Sequence, residues 1–139
     1  MILLDASGLV AALAPTQRRH KDCAAALEAA EPPRILSPFV LAEADYLTLR
    51  YAGVNEEIAL LDEVSRGVYE LAPFSGSDVN EARRIITTYR SLRIGLADAS
   101  IVVLAMRYGI FDVLTLDERH FRAMRPAPRK HFRILPADA

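Results

Sequence analysis

The sequence predicts an α/β fold: a three-layer α/β/α domain around a small, mainly parallel sheet. Three observations carry this. Short apolar runs alternate with longer helical segments along the whole chain, the pattern of strand–helix–strand units. The helical segments outnumber the runs, so the sheet must be small. The segment "GLADASIVVLAMRYG" (95–109) has no charge between Ala99 and Met106, so it reads as a helix in the interior rather than on a face. The chain has 139 residues, 52% of them hydrophobic, which suits one compact domain over 1–139.

The elements follow in order. "MILL" is a short buried strand, and "ASGLVAALAP" a short helix ended by Pro15. "RRHKDCAAALEAAEPP" is a second helix, stopped by Pro32 and Pro33, and "RILS" a brief strand. "SPFVLAEADYLTLRYAG" fits a helix with Ser37 as N-cap, Pro38 at the first helical position and Gly53 as its stop. "NEEIALLDEVSRG" is amphipathic, with Ile58, Leu61 and Val64 three apart and an acidic outer face. "VYELAPF" alternates as a strand. "SGSDVNEARRIITTYRSLRIG" reads as one long helix, capped by Ser77 or Asp78. The buried helix follows, then "DVLTLD" as a strand, "ERHFRAM" as a helical turn and "FRILP" as a last strand. "RPAPRK" is an exposed loop.

Composition excludes several classes. The apolar start lacks a basic leader and carries Asp5, which argues against a signal peptide. No uncharged run approaches the roughly 18–20 apolar residues of a membrane span, so a soluble, cytoplasmic protein is expected. Cys23 is the only cysteine, which rules out an internal disulfide and Cys-rich zinc sites; it reads as a half-buried helix residue. His20, His120 and His131 form no metal-spaced pair. Net charge is −1, but fifteen of the 17 basic residues are Arg, suited to bidentate phosphate contacts. Several cluster at 83–93 and 119–133, as solvated faces or as a basic rim that includes Arg93, Arg119 and Arg122.

Parallel sheets place their sites at the carboxyl ends of strands. Asp5 ends the first strand, Asp117 ends "DVLTLD", and Asp98 opens the buried helix. Glu43 sits mid-helix among Val40, Leu41, Ala42 and Ala44. Each has a plain structural explanation. Asp5, Asp98 and Asp117 can be helix N-caps, and Glu43 can lie on a solvated stripe with Asp45 and Arg50. Together they suggest convergence at one sheet edge. Clustered carboxylates repel one another unless a cation neutralises them, and oxygen-only donors point to Mg²⁺ or Mn²⁺.

Four blocks, "ILLDASGLVAAL", "SPFVLAEADYLTLRYAG", "GLADASIVVLAMRYG" and "DVLTLDERHF", run through nearly the whole chain. In order and spacing they resemble the PIN-domain ribonucleases and, within them, the VapC-type toxins of bacterial toxin–antitoxin pairs. The resemblance implies that Asp5, Glu43 and Asp98 are the acidic triad and Asp117 the more variable fourth acid. It makes Ser7 and Thr115 accessory hydroxyls. It further implies Mg²⁺ or Mn²⁺ as cofactor, RNA as substrate, a VapB-type antitoxin over the active-site groove and a homodimer. The groove would draw on "VLAEADYLTLRYAG" and "NEEIALLDEV".

Three other readings compete. A haloacid dehalogenase-type phosphotransferase needs a second Asp where Ser7 stands and a downstream Lys, and only Lys21 and Lys130 exist. A flavodoxin-like nucleotide binder needs a Gly-rich loop after the first strand, which is missing. A catalytically silent RNA- or protein-binding scaffold keeps the fold but gives the four acids no purpose.

Overall fold

A computed structural model describes residues 1–139. Its strands are β1 (Ile2–Leu4), β2 (Arg34–Leu36), β3 (Glu70–Leu71), β4 (Asp112–Leu114) and β5 (Arg133–Leu135). They pair in parallel in the order β3-β2-β1-β4-β5, with Leu3 opposite Ile35 on one side and Val113 on the other. The strand order reverses between β1 and β4. In an open parallel sheet the crevice beyond the carboxyl ends at such a switch point is where ligands bind.

Seven helices surround the sheet: α1 (Ala6–Leu13), α2 (His20–Ala29), α3 (Pro38–Ala52), α4 (Val54–Ser65), α5 (Gly76–Thr88), α6 (Leu96–Tyr108) and α7 (Glu118–Ala123). All three residues of β1 are buried although successive side chains point to opposite faces, so both faces of the sheet are covered. A hydrophobic cluster of 34 buried residues runs through both layers. As the sequence suggested, α6 is interior: every residue from Ala99 to Ala105 is buried. Its Ser100 hydroxyl is satisfied by Ala97 O at 2.6 Å and Ser37 Oγ at 2.7 Å.

Ser37 caps α3 by accepting from Phe39 N, with Pro38 in the first turn and Gly53 at φ 95° as the stop. The cap of α5 is Ser75 rather than Ser77 or Asp78. Ser75 and Asp78 form a reciprocal capping box, in which Asp78 also accepts from Ser75 N at 2.8 Å. The long helix expected over 75–95 ends at Thr88. A 3₁₀ turn (Arg90–Leu92) follows, and Arg93 adopts φ 55°. Thr87 and Thr88 turn their hydroxyls back onto Arg83 O and Arg84 O, contacts that compete with a continuing helix. The expected strand "VYELAPF" contracts to Glu70–Leu71, because β3 is the sheet edge with a partner on one side only. Cys23 is fully rather than half buried.

Gly8 fixes how α1 lies on the sheet. A Cβ there would fall 2.6 Å from the Leu114 carbonyl carbon and clash with its oxygen. Only glycine lets the first helix pass so close to the end of β4.

Candidate active site

The switch point is closed by hydroxyl groups. Asp5 follows β1 at the N-cap position of α1, yet its carboxylate does not cap the helix. Instead Asp5 Oδ2 accepts from Ser7 Oγ at 2.9 Å and from Thr115 Oγ1 at 2.6 Å. The same hydroxyls accept from the chain beyond β4: Ser7 from Leu116 N at 3.0 Å, Thr115 from Asp117 N at 2.9 Å. Each hydroxyl thus faces the acid with its proton and the neighbouring loop with its lone pair. The ends of β1 and β4 are tied together through the Asp5 side chain.

The other acids arrive from helices. Asp98 lies in the first turn of α6, one turn past the Gly95 cap rather than at the cap itself. There the helix dipole favours negative charge. Asp117 is the N-cap of α7 and accepts from His120 N at 3.1 Å, so its capping role and its place in the site coexist. On α3, Val40, Ala44 and Thr48 face the core, while Glu43 lies at an exposed rim position. Asp5, Ser7, Glu43, Asp98 and Asp117 line one cleft of about 280 Å³, together with Leu47, Gly95, Ala97 and His120.

Crowding marks the carboxylates electrostatically. Burial pushes Asp5 above the usual carboxylate range, opposed by the Thr115 and Ser7 hydrogen bonds. Partial desolvation at the cleft rim and the Asp5 charge raise Glu43 as well. Asp98 is pushed up to about 7, by burial first and then by the negative charges of Asp5 and Asp117.

His120 is the residue that sequence reasoning missed, because it forms no metal-spaced pair with His20 or His131. Its Nδ1 lies 2.9 Å from Asp117 Oδ2 and 3.3 Å from Asp98 Oδ2. The legible signal was the Asp117-x-x-His120 spacing at the start of a helix, which puts both side chains on one face. The sequence points to oxygen-only donors; the structure adds an imidazole beside two of them, with Asp98, Asp117 and His120 each bringing a potential ligand atom within 4.8 Å of the others. This donor set fits a divalent cation. Its two carboxylates stand beside those of Asp5 and Glu43, a repulsion that a cation relieves, and it contains a buried Nδ1 with no hydrogen-bond partner.

The basic candidates divide. Arg119 is exposed beside His120, and exposed Arg93 is two residues from Gly95 of the cleft. Arg122 is exposed but already paired. It forms a forked pair with Asp138 at 2.8 and 2.6 Å and reaches Glu118 at 3.1 Å.

Comparison with known proteins agrees with this architecture. Ribonuclease VapC26 of Mycobacterium tuberculosis (strain ATCC 25618 / H37Rv) is 38% identical over 135 residues, covering 97% of this chain and 100% of that protein. The crystal structure of M. tuberculosis VapC20, described as a sarcin-ricin loop cleaving toxin, superposes with a TM-score of 0.79 at 18% identity, over 86% of this chain and 92% of that one. FitAcB from Neisseria gonorrhoeae gives a TM-score of 0.54 at 19% identity, over 81% and 85%. The two structures speak for the fold. The family model of the PIN domain matches residues 2–126, a span that holds both strand ends of the switch point and all four acids, and the chain belongs to the PIN domain family.

Proposed function

We propose that the chain is a divalent-metal-dependent endoribonuclease, the toxin of a VapBC-type toxin–antitoxin pair, working in the cytoplasm as one PIN domain over 1–139. The observation that carries this is the convergence of Asp5, Glu43, Asp98 and Asp117 on one cleft at the switch point. The 38% identity to a VapC ribonuclease over nearly the whole chain supports it independently.

Asp5, Glu43, Asp98 and Asp117 would hold Mg²⁺ or Mn²⁺. When bound, such an ion acidifies water and offsets charge building on a phosphodiester and its leaving oxygen. The protein's part is positioning. Ser7 and Thr115 lock the Asp5 carboxylate to the loop that presents Asp117, so two of the acids move as one unit. Asp98 is held by a buried helix that cannot shift without disturbing the core. Exposed Arg93 and Arg119 would hold the RNA backbone, which gives affinity and salt dependence rather than sequence choice.

The partners proposed are the antitoxin and a second copy. Tyr46, Leu49, Tyr51, Val54, Ile58 and Leu61 of α3 and α4 are exposed, on the helix pair that carries Glu43. A groove beside them is lined by Val10, Leu13 and Leu60, with Glu56 and Glu63. This suits an antitoxin segment with apolar side chains and a basic group. Coexpression, pull-down and light scattering test both partners.

The deciding experiment is cleavage of total cellular RNA by purified protein with Mg²⁺, Mn²⁺ or EDTA, beside Asp98→Asn. Metal-dependent cuts that vanish in the variant are expected. Equal cutting by both proteins would sink the assignment of Asp98. A well-folded protein that cuts nothing with either metal would favour a silent scaffold.

A further inference from the structure

We propose that His120 is a nitrogen ligand in the metal centre, its Nδ1 completing a donor set with Asp98 and Asp117, and that it tilts the centre from Mg²⁺ toward Mn²⁺. The proposal rests on reading the cleft as a metal centre and goes beyond the four acids that the resemblance supplies.

Three observations carry it. First, Nδ1 of His120 is buried and has no hydrogen-bond partner, although two carboxylate oxygens lie 2.9 and 3.3 Å away. Neither contact is aligned as a hydrogen bond. A buried polar atom left without a partner is costly, and a cation among the three groups would satisfy all of them at once.

Second, the spacing suits a shared ion. Neighbouring donors on an octahedral ion with bonds of 2.0–2.1 Å stand about 3 Å apart. The two distances from Nδ1 bracket that value.

Third, His120 is fixed in place. Its backbone N–H is held by Asp117 Oδ1 at the first turn of α7, while Asp117 Oδ2 faces Nδ1. One carboxylate therefore both anchors the histidine and shares its open side. The following residue, Phe121, is fully buried against Phe132, with ring centroids 5.3 Å apart, so α7 cannot roll the imidazole away.

A nitrogen donor changes what the centre prefers. Mg²⁺ takes hard oxygen ligands and accepts imidazole poorly, whereas Mn²⁺ and later transition metals accept it. His120 therefore discriminates between two ions that the carboxylates alone treat alike.

The test is pulsed electron paramagnetic resonance on the full-length protein titrated with Mn²⁺. Bound Mn²⁺ should show coupling to one imidazole nitrogen. The coupling should vanish in His120→Gln, persist in His20→Gln and His131→Gln, and change its frequency when the wild type carries nitrogen-15 histidine. His120→Gln should weaken Mn²⁺ binding on the order of tenfold. Mg²⁺ affinity, read by displacement of Mn²⁺, should move by less than about twofold. Bound Mn²⁺ without nitrogen coupling, or coupling that survives in folded His120→Gln, overturns the ligand while leaving an oxygen-ligated centre standing. Should His120→Gln not fold, the isotope-labelled wild type decides together with His20→Gln and His131→Gln, which must keep the coupling. If the free-ion signal of Mn²⁺ is undiminished by protein, the proposal and the metal-centre reading fall together.

Discussion

At the scale of residues, Asp98 shows the conflict between a site and a stable fold. Its ordinary pKa of 3.8 is raised to about 7 by burial and by the charges of Asp5 and Asp117. Between those values the native state holds a proton that the unfolded chain has released, so stability falls as pH rises, by up to roughly 1.4 kcal/mol per pH unit. Protein stripped of divalent ions should melt at progressively lower temperature from about pH 4 to about pH 7. Asp98→Asn should flatten that decline and melt higher than wild type at the upper end, while cleaving RNA at least about a hundredfold more slowly. Calorimetry with EDTA across pH checks the first part; a parallel wild-type and variant decline would refute it. Thr115 makes the opposite case, a neutral group on which two acids depend. Thr115→Val keeps the shape but strips Asp5 of its 2.6 Å donor and Asp117 N of its acceptor. A loss of about 1–3 kcal/mol is expected in denaturant titration, with cleavage reduced as well.

At the scale of elements, Gly8 sets the approach of α1 to β4. Gly8→Ala must push the helix off Leu114, which should cost about 1–3 kcal/mol and displace Asp5 and Ser7 from Thr115. Unchanged melting and unchanged cleavage would show that the helix relaxes freely. Sequence legibility also belongs to this scale. All five strands could be read: four carry buried apolar residues closed by Asp5, Ser37, Thr115 or Pro136 at the sheet's carboxyl edge, and β3 shows as alternation in "VYELAPF". Strand lengths could not: β3 pairs on one side only and shrinks to two residues. The α5 helix was over-extended because the periodicity continues where the Thr87 and Thr88 hydroxyls fold back on the chain. Asp5, Asp98 and Asp117 were legible as strand and helix ends, and Glu43 as a charge in the middle of a helix among apolar neighbours. His120 was legible only in its spacing from Asp117, because its contact with Asp98 comes from α7 facing α6, which no local pattern encodes.

At the scale of the molecule, the cleft is assembled from segments over a hundred residues apart, and only the strand order brings them together. That order also decides which arginines stand free near it. Phosphate contacts leave a measurable trace, since each one released on a single strand changes the slope of log affinity against log salt by about 0.7. Arg119 and Arg93 are exposed close to cleft residues, so Arg119→Ala and Arg93→Ala should each lower the slope by about that amount. Arg122 is already held by Asp138, whose carboxyl that pairing lowers to about 2, and by Glu118. Arg122→Ala should leave the slope unchanged. Because the pair is exposed and screened by solvent, its loss should leave stability nearly unchanged. The measurement is RNA binding by fluorescence anisotropy over a salt series, with Asp98→Asn as the common background so that the RNA is not cut. A slope that drops with Arg122→Ala and stays with Arg119→Ala would mean that RNA opens the Asp138 pair on binding. The backbone track would then run past the end of β5 rather than along the start of α7.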